Sequence, residues 1–132
     1  MSNVAEHWII MSKYDMETAE AMMREERYIY VSLMCHQAIE KLLKAIWAER
    51  KKKIPPRTHN IISLSRSLNL WERFDDSTRS FLAFINPLNV MSRYPPTNSP
   101  YGLINKDQAD ELLNLTRGVL SWLKTELKQK KS

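Results

Sequence analysis

The chain has 132 residues, a formal charge of +5 and a pI of about 9.4, with two glycines, one cysteine and three histidines. That length suits a single domain over residues 1–132 that can bury a core without a metal or disulfide staple. Gly102 and Gly118 stand alone, which excludes a glycine-rich phosphate loop, and Cys35 has no partner for an internal disulfide.

From Asn3 to about Arg27, Val4, Trp8, Met11, Ala19 and Met22 recur at helical spacing and predict a first amphipathic helix. Asp15 lies within that stripe, so a basic or donor partner on another helix is expected unless it sits at the solvated edge. A second helix is predicted from about Ile29 to Lys52. Val31, Met34, Cys35, Ala38, Leu42, Ala45 and Ile46 make one apolar face and Ile39, Leu43 and Trp47 a second, so this helix must touch more than one neighbour.

Pro55 and Pro56 end that pattern. A short helix then resumes with Thr58 as N-cap and Ile61, Leu64, Leu68 and Trp71 on its apolar side. Asp75 or Asp76 caps a fourth helix that Pro87 kinks or closes. Residues 92–102, "SRYPPTNSPYG", read as a loop. Asn105 with Gln108 opens the last helix, whose buried stripe is Leu112, Thr116, Val119, Leu123 and Leu127. No strand pattern occurs, so the expected fold is all-α, an up-and-down bundle of four to five helices.

The stretch "CHQAIEKLLKAIW" sets polar groups among apolar ones on nearly every side of the second helix. His36, Glu40 and Lys44 share one face, with Gln37 and Lys41 on the adjoining ridge. Bonds between residues one turn apart, a ligand cleft and a symmetric dimer seam all fit; the seam would use Asp15, His36, Gln37 and Glu40. Basic runs at 49–57 and 124–132 can attract polyanions, although such runs are often solvated loops and tails. If the two irregular segments meet, Arg57 and Arg93 suit phosphate and His59 suits proton transfer, with Lys41 and Lys44 as further cations. Arg57 and His59 are the only catalytic candidates. No metal site or cofactor is expected, and without a secretory leader or a bilayer-length apolar run the location expected is cytoplasmic, away from membranes.

"YDMETAEAM", "HQAIEKLLKAIWAE", "PPRTHNIISL" and "SRYP", in that order, resemble the HEPN family. Its second-helix pattern falls on Gln37, Ala38, Glu40, Lys41, Lys44 and Ala45. The resemblance implies a small bundle like the substrate-binding subunit of nucleotidyltransferases and a homodimer. It also implies association with nucleotides or RNA, beside a minimal nucleotidyltransferase in a toxin–antitoxin-like pair.

Some members of the family are metal-independent ribonucleases that use an Arg followed, after four to six residues, by a His. That motif is absent: His7 has no preceding Arg, eight residues separate Arg27 from His36, and one separates Arg57 from His59. No histidine follows Arg93, and Pro96 stands where an acid usually follows the Arg-Tyr-Pro element. Enzymatic activity is therefore left open. The leading expectation is a nucleotide- or RNA-associated module; the alternatives are a ribonuclease with a non-standard Arg and His pair and a non-catalytic dimeric scaffold.

Overall fold

The computed structural model describes residues 1–91 and 103–129, and every described regular element is helical. Helix α1 (Asn3–Arg24) and helix α2 (Tyr28–Lys51) form an antiparallel hairpin. The turn between them is short enough to force that arrangement. Helix α1 stops three residues earlier than its pattern suggested. Glu25 closes it, Glu26 takes a left-handed conformation (φ 59°), and the Arg27 amide donates back to the Met22 carbonyl.

The face that α1 buries also differs from the expected one. Ala5, Ser12, Met16 and Ala19 are buried, whereas Val4 is 43% exposed and Trp8, Met11 and Met22 are half-buried. Small residues win because they let α1 lie close on α2, where the Ser12 hydroxyl donates to the Ala38 carbonyl at 2.7 Å. That bond satisfies a polar group that burial would otherwise penalise.

Helix α2 is the centre of the molecule, buried at 16 of its 24 residues. It packs against α1, the C-terminal helix α6 (Lys106–Lys128), α3 (Ile61–Ser67) and α5 (Leu88–Met91). Both of its expected apolar faces are in the core, with Met34 and Trp47 packed at its margin. It ends at Lys51, before the prolines, because Lys52 turns left-handed (φ 52°) and donates its amide to Ala48.

Helix α3 is capped by Asn60 and not by Thr58. The Asn60 carboxamide accepts from the Ile62 and Ser63 amides, while Thr58 Oγ1 accepts from the Asn60 amide, completing the turn that precedes the cap. Trp71 falls outside α3, in a 3-10 turn (Trp71–Arg73), because Asn69 takes a left-handed conformation (φ 59°) that breaks the helix. Helix α4 (Asp76–Ile85) uses Asp75 as its cap. Pro87 closes it and starts α5, a short helix that the sequence pattern did not suggest. Helix α6 carries the expected capping box between Asn105 and Gln108.

Candidate functional site

Gln37, Glu40, Lys41 and Lys44 of α2 are held by partners in the same chain. Glu40 is 1% exposed, and its two carboxylate oxygens are separately engaged: Oε2 accepts from Lys44 Nζ at 3.0 Å and Oε1 from His59 Nδ1 at 2.9 Å. Lys44 is itself buried, with its ammonium 5.3 Å from the centre of the Trp8 ring. An ammonium over an indole face is favourable in a desolvated setting, so Trp8 supports the charge that balances Glu40.

A carboxylate can only accept, so the proton on the bonded edge of His59 sits on Nδ1. In the neutral ring this leaves Nε2 as the acceptor, and the His59 side chain is 54% exposed. Arg57, two residues before it, is exposed and makes no ion pair among the described residues. The arrangement offers a fixed imidazole and an unengaged guanidinium on one loop.

His36 sits one turn before Glu40 and is fully buried, with Nδ1 3.8 Å from Glu40 Oε1 and neither ring nitrogen hydrogen-bonded. Burial lowers its pKa to about 4, against the opposing pull of the Glu40 charge and the nearby Asn86 side chain. The ring is therefore neutral near pH 7. Helix ends are locked here too: Asn86 Oδ1 accepts from the Ile61 amide, and Asn86 Nδ2 donates to Asn60 Oδ1. These bonds tie the start of α3 to the end of α4 and set where the His59 loop lies.

On the adjoining ridge Lys41 Nζ donates to Gln37 Oε1 at 2.7 Å and to Asp15 Oδ2 at 3.2 Å, and Gln37 Nε2 donates to Asn89 Oδ1 at 3.0 Å. Lys41 is thus the partner Asp15 needed. With Lys41 and Lys44 both engaged by acids, Lys53 and Arg57 are exposed loop cations that form no ion pair among the described residues. Arg93 lies outside the described residues, so whether the two loops meet is not part of this geometry. Among the described residues no three His, Cys, Asp or Glu side chains converge as metal ligands, and no helix is long and apolar enough to cross a membrane.

Sequence reasoning passed over a second buried acid. Glu126 on α6 is 2% exposed and accepts from Arg50 Nη2 at 2.9 Å and from Arg73 Nη1 and Nη2 at 2.6 and 2.9 Å. The Arg73 fork, with help from Arg50, holds its carboxyl below the usual carboxylate range. Its position one heptad after Val119 was the available signal, since that spacing returns to the buried face.

A central helix whose buried carboxylate grips a loop histidine defines a small all-helical domain with an acid–imidazole pair at its surface. The match to the HEPN domain model spans residues 5–127, and the chain belongs to the HEPN domain family. Among solved structures it is similar to TT1696 from Thermus thermophilus, at 18% identity and a TM-score of 0.81, covering 94% of this chain and 98% of that one. It is also similar to ST0689, an archaeal HEPN homologue, at 25% identity and a TM-score of 0.73, covering 96% and 98%. No curated protein matches the sequence.

Proposed function

We propose that the chain is a nucleotide- or RNA-binding HEPN module, acting as a homodimer in the cytoplasm beside a minimal nucleotidyltransferase in a toxin–antitoxin-like pair. The observation that carries this reading is a His59 fixed by Glu40 on the same loop as an exposed Arg57 that makes no ion pair among the described residues. Arginine presents two parallel donors to a phosphate, and an imidazole on the same loop can donate to or accept from a phosphate-bearing ligand. Lys44 serves the site through Glu40, by balancing the charge that orients His59. Isothermal titration with nucleoside phosphates, with and without the nucleotidyltransferase, tests the reading. Binding lost in Arg57→Ala supports it, and no affinity for any nucleotide in either setting contradicts it.

A second reading is a metal-independent ribonuclease, favoured by the Glu40 and His59 bond. Fixing Nδ1–H leaves Nε2 able to take a proton from a ribose 2′-hydroxyl, with Arg57 on the phosphate. RNA cleavage in excess chelator, abolished by both His59→Ala and Arg57→Ala in folded protein, is the expected result under this reading. Unchanged cleavage in either variant ends it.

A further inference from the structure

The C-terminal ends of α2 and α6, each within a basic run of the sequence, meet at one end of the bundle. Arg50, Lys51 and Lys52 at the C-terminus of α2 and Lys128 at the C-terminus of α6 line one surface depression of about 820 Å³. The Arg50 and Glu126 ion pair brings them together. Leu68 and Leu127 contribute apolar lining, and Glu49 is the acid among the lining residues, already bonded to Lys52 at 3.1 Å. Cations therefore outnumber acids in this cleft.

Glu126 takes Nη2 of Arg50, but Arg50 Nη1 is buried with no hydrogen-bond partner. A guanidinium N–H left unpaired is costly, and because Nη1 is enclosed an oxyanion in the depression satisfies it only if the Arg50 side chain, 14% exposed, turns toward the opening. Lys128 is exposed and forms no ion pair among the described residues; Lys51 is exposed with its ammonium 4.5 Å from the centre of the Trp47 ring. Arg50 lies ten residues beyond Glu40 on the same helix, which sets this cleft roughly 15 Å from the His59 contact.

We propose that this cleft is a second phosphate-binding site, and that with the Arg57 and His59 loop it holds one strand of single-stranded RNA. The proposal rests on the nucleotide- or RNA-binding reading above and extends it from a mononucleotide to a polynucleotide. A strand carries phosphates at regular intervals and can engage two basic sites at once, whereas a mononucleotide cannot. Four basic side chains line the depression, and the second basic site lies roughly 15 Å away along α2, an arrangement that one extended strand with regularly spaced phosphates can engage at both places.

The test is fluorescence anisotropy with a labelled single-stranded oligoribonucleotide across a salt series, on wild type, the Lys51→Ala/Lys128→Ala double variant, and Arg57→Ala/His59→Ala. All four residues are exposed, and circular dichroism checks each fold. The double lysine variant should bind about tenfold more weakly, with a log–log salt slope smaller by about 1.4. Uridine monophosphate should compete poorly with the oligonucleotide.

Unchanged affinity and slope in the lysine variant, with loss in the Arg57/His59 variant, would overturn the second site and leave the first reading standing. Loss in the lysine variant alone would keep the cleft and remove the loop site. No RNA binding by wild type, or binding only to phosphatidylserine vesicles, would overturn the strand proposal, and the first reading falls with it only if the nucleotide titrations also show no affinity.

Discussion

Replacing Glu126 by Gln keeps the shape of the side chain and removes the charge that two arginines share. The Arg50 side chain is 14% exposed, so it would be left largely buried with no counter-charge. Losing a charge-assisted bond in that setting costs about 2–3 kcal/mol. The Arg73 fork is 44% exposed and screened by solvent, so it adds only about 0.5–1 kcal/mol. The expected loss is about 3 kcal/mol.

With an unfolding entropy of roughly 2.1 cal/mol/K per residue over 132 residues, that loss lowers Tm by about 11 °C. Differential scanning calorimetry near neutral pH measures it. Because the folded-state pKa of Glu126 is depressed, its contribution is present above the unfolded carboxylate range and is lost as pH falls through the folded value. The gap between wild type and Glu126→Gln should therefore close in acid. A Tm within about 2 °C of wild type near neutral pH would show that this triad does not hold α6 to α2 and the 3-10 turn.

Three further outcomes follow from other residues. His36 has a folded pKa of about 4 against about 6.5 unfolded, so wild type should lose about 3 kcal/mol as pH falls from 6.5 through 4, and urea melts of His36→Gln should lack that slope. Gly118 lies mid-helix without a positive φ, and an added Cβ there meets nothing within 4 Å, so Gly118→Ala should raise stability by about 0.5–1 kcal/mol in the same melts. Burial pushes the Cys35 thiol up to about 11, so Ellman's reagent should label it only on unfolding; fast labelling of native protein would contradict its place in the core.

How much of this was legible in the sequence depended on whether one element or several decided the outcome. The second helix was readable because its apolar residues cover two faces, and a helix so covered must be central. The last helix was readable because its cap uses adjacent residues alone. The exposed side of α1 was not, since Ala5 and Ser12 beat Val4 only through close contact with α2. Thr58 and Asn60 are both cap-forming residue types, with Asn the stronger, and Asn86, 26 residues further on, fixes the choice by bonding to Asn60 and to the Ile61 amide.

The same distinction applies to the site. Asp15 signalled a need for a partner because an acid stood in an apolar stripe, and Lys41 answers it. The local pairing of Glu40 with Lys44 was visible in their spacing. The bond from His59 to Glu40 was hidden, because it depends on a loop turning back along α2, and neither proline nor basic residues specify that return.

The central claim is that Glu40 presents His59, beside Arg57, to a phosphate-bearing ligand. Its most direct test is NMR of the histidine ring nitrogens and the arginine side chains during titration with a single-stranded oligoribonucleotide in excess chelator. The account predicts an Nδ1–H tautomer for neutral His59, lost in Glu40→Ala, and saturable shifts at His59 and Arg57 while His7 stays still. An Nε2–H tautomer in wild type, or no shift at either residue at saturating RNA, would contradict it.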